Sequence, residues 1–408
     1  MTAAIAFPQP RPKILLIAPG GFGGVQSFCN ALSKGLLDAG YEPHILFEHG
    51  RPQLENDPSV PPGVTAKVFE YSSLDNCICV FKRMAALVSQ NGYSVVYPNT
   101  SAVTYRALGL LGPLRPTAIG GCTGNNPHDY ACNTEFADYL DHIFSVSQAG
   151  ALVLRDRLSG RDLGIAVIPH GVEPANTPPG RSFSSKLRLV FAGRFDVAKR
   201  IQDVVVVAQR LRDLGIQLDI NLAGEGLERK AIEDSCKRRS VQDTVRCLGF
   251  ISQAEVERLL QGSHINLLLS ESEGFGLSVL EGMKVGCVPI VTETCGCKDA
   301  IRDGINGFVV KLGDVRSAVE RVRHLDQNRA CLALMSEAAA RTVREDYTLE
   351  REVARHLQVL RAAQEHHHRY AARTIPWKYE APSLISSPWV PNWLARSLRR
   401  LKYAATTL

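Results

Sequence analysis

Apolar residues along this chain come in short unbroken runs rather than in strict alternation. The first run is "KILLIAP" at 13–19, followed by "PHILFE" 43–48, "VTAKVF" 64–69, "YSVVYPN" 93–99, "TAIGG" 117–121, "HIFSVS" 142–147 and "AVIPHG" 166–171. Runs of this length, rich in β-branched residues, predict strands. Helical patterns fit between most of them, as at 24–39 and 148–159. A strand that is apolar on both faces must be covered on both, so the pattern predicts a parallel sheet with helices on either side. "PANTPPGRSFSSK" at 174–186 has no periodicity and reads as a linker. The alternation then restarts with strands at 187–193, 218–224, 245–250, 264–270, 288–293 and 307–312. Helices are expected near 198–214, 226–240, 252–262, 278–286 and 314–325, and 328–364 is helical throughout.

The expected architecture is therefore α/β, with two doubly wound Rossmann-like domains facing across a cleft. The first domain covers 11–173 and the second 187–345, followed by a C-terminal helix at 346–364 and a basic tail at 365–408. A length of 408 residues suits two cores better than one. No apolar run reaches about 20 residues, so no spanning helix is expected. The opening "MTAAIAFPQPRPK" lacks the pattern of a signal peptide, which makes a cytoplasmic location the default expectation.

The cysteines number 11, an odd count, and the C-x-C pairs Cys77/Cys79 and Cys295/Cys297 have no second pair at zinc spacing. Reduced cysteines in cores and loops are expected, and "HHH" at 366–368 reads as a solvated tract. Net charge is +6, yet 365–408 holds seven basic against two acidic residues. The body is thus close to neutral, which argues against nucleic acid as a partner.

In open parallel sheets ligands bind beyond the carboxyl ends of the strands. Gly20, Gly21, Gly23 and Gly24 follow the first strand and open a helix, which suits either phosphate or tight packing. A dinucleotide fingerprint fails at Gln26, although Glu48 stands where such enzymes hold a ribose. After the linker, Arg194 and Lys199 in "VFAGRFDVAKR" place two cations at a strand end, as a diphosphate requires. Gly249 and Phe250 end another strand and offer backbone and a ring wall. The stretch "SESEGFGLSVLEGM" sets Glu273 in a loop, the amides of Gly274, Phe275, Gly276 and Leu277 after it, and Glu281 one turn into a helix capped near Ser278. Helical side chains lean toward the N-terminus, so Glu281 is expected to point back at the mouth of that loop.

"ESEGFGLSVLEGMKVGCVPIVT" resembles the E-x7-E signature of the retaining GT-B glycosyltransferases of the GT4 type, the glycosyl transferases group 1. "VIPHGVEP", "FAGRFDVAKR", "LAGEGLE" and "CLGF" follow in that family's order, and "GGFGGVQSF" resembles its first glycine loop. The resemblance covers about 13–364. It implies transfer of a sugar from a UDP- or GDP-sugar to a glycan or lipid-linked acceptor, with retention at the anomeric carbon and no metal cofactor. Polysaccharide assembly is the broad expectation. By the same resemblance Arg194 and Lys199 hold the diphosphate, Glu273 the donor sugar, Glu281 the ribose, and Gly23 and Gly24 lie against the phosphates. The implied mechanism is front-face, with the leaving phosphate helping to deprotonate the acceptor. The sequence departs from the family at His170, at Gly296, Cys297 and Asp299, and at "CTGNNPHDY", where Cys122 and Thr123 occupy a strand end. His128 would then stand in for the family histidine, or be a loop residue without a role.

Other readings are a nicotinamide-dependent oxidoreductase and a catalytically silent partner protein of this fold. Near the C-terminus, 391–403 forms a basic amphipathic pattern with Trp393, Leu394, Leu398 and Leu401 on one face. Such a helix can lie on an anionic membrane or pack across the first domain.

Overall fold

A computed structural model of the chain describes residues 11–20, 23–48, 54–55, 57–72, 74–175, 183, 186–370, 390–391, 393–394 and 397. The strands sort into two sheets, and every pairing in them is parallel. The first holds β1 (Lys13–Pro19), β2 (Glu42–Glu48), β3 (Thr65–Phe69), β4 (Val95–Asn99), β5 (Thr117–Cys122), β6 (His142–Ser145) and β7 (Gly164–Val167), in the order β3-β2-β1-β4-β5-β6-β7. The second holds β8 (Leu187–Ala192), β9 (Leu218–Ala223), β10 (Val245–Gly249), β11 (Ile265–Leu268), β12 (Val288–Thr292) and β13 (Phe308–Val310), in the order β10-β9-β8-β11-β12-β13. Strand order reverses at β1/β4 in one sheet and at β8/β11 in the other. Each reversal opens a crevice at the carboxyl edge.

The apolar runs form these strands because both faces are covered. Ile14, Leu16, Val95 and Tyr97 enter one core, while Leu15, Ile17 and Val96 enter the core on the opposite face. "VTAKVF" departs from that expectation: as the edge strand β3 it is largely half-buried. "AVIPHG" also shifts, with β7 ending at Val167 and His170 lying in the following loop. Helices α1 (Gly24–Asp38) and α5 (Gln148–Arg157) match the sequence pattern. Three further helices, α2 (Cys77–Gln90), α3 (Ala102–Leu111) and α4 (Pro127–Glu135), fill the crossovers from β3 to β4, β4 to β5 and β5 to β6. In the second half come α6 (Ile201–Asp213), α7 (Arg229–Arg238), α8 (Gln253–Gly262), α9 (Leu277–Lys284), α10 (Val315–Gln327) and α11 (Arg329–Asp346).

The last helix, α12 (Leu349–Tyr370), runs past the expected end at 364. It packs back onto the first sheet. His356 is fully buried against the rings of Phe28, Tyr97 and Phe144. The histidines at its end are no solvated tract: His366 and His367 meet the buried Asp141, which also takes a two-pronged hydrogen bond from Arg115. Burial pushes the Asp141 carboxyl up, but the bonds from Arg115 and His367 outweigh it and hold its pKa at about 2.

The cysteines are buried or half-buried. Most of the 174–186 linker and of the 391–403 helix lies outside the described residues, as do Trp377 and Trp389. Of the tail, the Val390 carbonyl accepts a hydrogen bond from Asn76 at 2.7 Å. Trp393 is 69% exposed. Among the described residues no helix is long and apolar enough to cross a membrane.

Candidate active site

The carboxyl edge of the second sheet is laced by its own loops. Gly193 N donates to Ala223 O at 3.0 Å, Gly224 N to Gly249 O at 2.9 Å, and Phe195 N to Glu225 O at 2.8 Å. Glu271 N donates to Ala198 O at 2.8 Å, which ties the loop after β11 to the loop after β8. That tie brings Lys199 to Glu273. Lys199 closes a tight 3-10 turn at Val197–Lys199, and its ammonium is ion-paired with Glu273 Oε2. The two side chains are 13% and 19% exposed, so the pair is withdrawn from bulk water without being sealed.

Beyond Glu273 the chain turns into α9 through Gly276, whose φ of 83° is the left-handed conformation a side chain resists. Gly276 is the N-cap, so Ser278 is not: Ser278 lies inside the helix, its carbonyl accepting from Asn266 Nδ2 at 2.8 Å. No side chain caps α9, which leaves the amides ahead of Val279, whose own N–H donates to Gly276 O at 2.8 Å, for a ligand or for water. Gly274 and Phe275 are buried, with Leu277 half-buried. A Cβ on Gly274 would fall inside the carbonyl oxygen of Thr123, so this turn can be reached only by a glycine. Ser272 Oγ donates to Asn125 O at 2.6 Å, and Asn125 Nδ2 donates to Thr294 O at 3.3 Å. Asp299 accepts from Gln148 N at 2.7 Å, placing a carboxylate at the N-terminus of α5. The loop after β5 and the Glu273 loop therefore touch directly.

Glu281 has different neighbours from Glu273. It lines a cavity of about 260 Å³ together with Phe28, His170, Gln253, Leu277 and Lys284. Gln253 Nε2 donates to Glu281 Oε1 at 2.9 Å. Burial raises the Glu281 carboxyl pKa, opposed first by Lys284. Leu277 also reaches the start of α1: a Cβ on Gly24 would lie 3.8 Å from its side chain. Gly23 and Gly24 are exposed, and Gly21 lies outside the described residues.

The remaining sequence candidates stand apart. Arg194 is 74% exposed, its guanidinium 3.6 Å from Asp196. Gly249 has a φ of 75°, and Phe250 beside it is 66% exposed. His128 is exposed in the first turn of α4, with Nε2 3.0 Å from the Thr100 carbonyl, so Nε2 carries the proton. His170 pairs with Glu352 at 2.9 Å and serves the junction with α12. Glu48, the carboxylate a dinucleotide reading would give to a ribose, is buried and accepts from Ser101 and Thr104. Among the described residues no three His, Cys, Asp or Glu side chains gather as a metal centre would require.

Sequence reasoning missed Asn125, Ser272, Gln253 and Lys284. The "NNP" ahead of α4 signals a turn, and Asn126 does cap that helix. Nothing local shows that Asn125 reaches the other sheet.

A family profile described as glycosyl transferases group 1 matches residues 174–342. The chain carries a glycosyl transferases group 1 domain. This domain includes Arg194, Lys199, Glu273 and Glu281. Among curated proteins, N-acetyl-alpha-D-glucosaminyl L-malate synthase of Bacillus anthracis is 32% identical over 179 residues, 43% of this chain and 45% of that protein. The chain thus spans about half the length of such curated relatives. Among solved structures, a glycosyltransferase from Rickettsia africae superposes with a TM-score of 0.69 at 17% identity, covering 88% of this chain and 100% of that one. Anabaena HepE, in complex with UDP and glucose, gives 0.69 at 15% identity, covering 86% and 100%. The group 1 domain and its N-terminal companion thus share the GT-B fold of these structures.

Proposed function

We propose that the chain is a retaining glycosyltransferase that moves a sugar from a nucleoside diphosphate, UDP or GDP, to a hydroxyl of an acceptor held by the first sheet. The observation that carries this reading is the Lys199–Glu273 pair, set at the strand-order reversal of the second sheet and beside the uncapped start of α9. Cleavage of a sugar–phosphate bond puts negative charge on the leaving diphosphate. A fixed ammonium and aligned amides stabilise that charge most as it develops. Lys199 and the α9 amides are assigned this role, with Arg194 turning from Asp196 to the outer phosphate and Glu273 accepting hydroxyls of the donor sugar. The bond from the anomeric carbon to phosphate oxygen breaks. A bond to the acceptor oxygen forms on the same face, and the acceptor proton passes to the leaving phosphate. Glu281, in its cavity with Gln253, accepts from the ribose hydroxyls. This arrangement asks for no metal, since Lys199 and the helix terminus supply the positive charge. HepE was crystallised with UDP and glucose, which supports this class of donor.

Thermal-shift measurement across UDP, GDP, ADP and NAD tests the reading. A rise in midpoint with UDP or GDP is expected, and it should persist in EDTA. Stabilisation by NAD alone would overturn it.

A further inference from the structure

Two loops of the second sheet meet at Glu273. Glu273 and Cys295 form an isolated parallel bridge, and Gly296 N donates to Glu273 O at 3.1 Å. Ser272 and Thr294 each stand one residue ahead of a member of that bridge. A single residue from the other half of the molecule joins them. Asn125, in the loop between β5 and α4, accepts from Ser272 Oγ at 2.6 Å through its backbone carbonyl. Its side-chain Nδ2 donates to Thr294 O at 3.3 Å. The bridge that carries Glu273 is thus closed at its leading end by the first sheet's loop.

The Asn125 amide is oriented at both ends. Tyr130 Oη donates to Oδ1, which turns Nδ2 toward the Thr294 carbonyl, an acceptor that only the NH2 group can serve. Tyr130 is buried, and burial pushes its phenol up to about 12, so the proton stays on the hydroxyl. Arg157 of α5 lies over the Tyr130 ring, 5.2 Å from its centroid. On the other side of Glu273, Glu271 N is tied to Ala198 O at 2.8 Å, which fixes the loop to Lys199 from within the second sheet. Glu273 therefore stands between one tie inside its own sheet and one from outside it. Misplacing a reacting group by about 1 Å can cost about 100-fold in rate, so the outer tie bears on the chemistry and not only on the fold.

We propose that Asn125 is a positioning residue for transfer: its amide, oriented by Tyr130, clasps the Glu273 loop through Ser272 and Thr294 and so fixes the Glu273 carboxylate against Lys199 and the donor sugar. The inference rests on the transfer reading above. Asn125 acts through the loop's own backbone and the Ser272 hydroxyl, so it governs the rate of the step rather than the grip on the nucleotide.

Asn125→Asp tests it, because aspartate keeps the shape of the side chain and, when ionised, has no donor for Thr294 O. Binding of UDP and GDP to the full wild-type chain is measured first and by itself in calorimetry, so failure of the donor reading shows separately. Turnover is then read as nucleotide release from UDP-glucose and GDP-mannose. At pH 8, Asn125→Asp should lower kcat about tenfold or more and leave KM within about twofold. Burial against a carbonyl raises the pKa of the introduced carboxyl. Between pH 8 and 5 that group takes up a proton and can donate again, so the ratio of variant to wild-type kcat should rise about threefold or more. A residue that only fills space would show no such recovery. Asp129 and Tyr130 on α4, and Glu273 and Glu293 beside the clasped residues, titrate in both proteins and divide out of the ratio. Hydrogen exchange over residues 270–277 of the nucleotide-free chain gives a second readout. It should quicken about threefold or more in Asn125→Asp, and also in Tyr130→Phe, which removes one hydroxyl and leaves the second sheet unaltered. Unchanged kcat in Asn125→Asp, a loss carried by KM, a ratio flat in pH, or unchanged exchange in both variants would each overturn the proposal. The exchange result decides the matter even if the wild type releases neither nucleotide.

Discussion

The carboxyl edges of the two sheets hold the same chemical group in opposite ways. On the second sheet Glu273 is joined to a lysine, and the pair keeps partial contact with solvent. On the first sheet Glu48 is buried and accepts from the hydroxyls of Ser101 and Thr104. The strand orders are equivalent, β3-β2-β1-β4 against β10-β9-β8-β11, so topology does not make the difference. Side chains on the loops do. A charged pair that can open suits a ligand bearing its own charge.

The comparison breaks most readily at the second sheet. Lys199→Ala and Glu273→Ala should each lower donor turnover by about 100-fold or more, on the order of 3 kcal/mol of transition-state stabilisation. Both are loop-edge groups, so far-ultraviolet circular dichroism should not change. Near-normal turnover in either would leave that edge without its assigned chemistry.

The contact between the edges comes next. Gly274→Ala drives a methyl into the Thr123 carbonyl, a backbone atom that no rotamer change can move. We expect a wider particle in small-angle scattering and at least tenfold slower turnover. Unchanged dimensions together with full activity would show that the edges need not touch.

A third test concerns what seats the first sheet. Burial first, and then His170, lower the His356 pKa from 6.5 to about 3, so the folded protein keeps it neutral. The unfolded chain protonates it below about pH 6.5. Stability is therefore complete above that pH and is lost on acidification toward about 3, at up to about 1.4 kcal/mol per pH unit. His356→Phe, matched to its ring neighbours, should remove about 2 kcal/mol of the loss between pH 6.5 and 5 in urea melts. Parallel pH slopes in the two proteins would argue against this.

The smallest effect is expected from Gln253→Ala. It removes one partly exposed hydrogen bond to Glu281 and should weaken UDP or GDP by about three- to tenfold in calorimetry. No change would place the ribose elsewhere.

How much of this could be read beforehand divides along the same line. The strands were legible because burial on both faces leaves unbroken apolar runs, and "KILLIAP" is β1 residue for residue. Arg194, Lys199 and Glu273 were legible as charges in loops that follow strands, and Glu281 as a carboxylate one turn into a helix. That Lys199 pairs with Glu273, while Arg194 stands out in solvent, was not: it depends on the Glu271–Ala198 backbone bond between distant loops. Gly276 displaced Ser278 as the cap because the turn needs a left-handed residue, a demand set by three-dimensional closure. Ser101 and Thr104 carry no mark of their role, being an ordinary helix cap and an ordinary first-turn residue until Glu48 is packed beside them.

The return of α12 to the first sheet also bears on how the molecule is made. The bond between His170 and Glu352 joins positions 182 apart, and His356 closes over Phe28 and Phe144. A ribosome releases the first sheet long before it makes that lid. The nascent chain must carry an open apolar surface throughout synthesis of the group 1 domain, a window in which chaperones or aggregation can act. Cutting the gene between the two sheets would make that exposure permanent. The halves are one unit of biogenesis even though each has a sheet of its own.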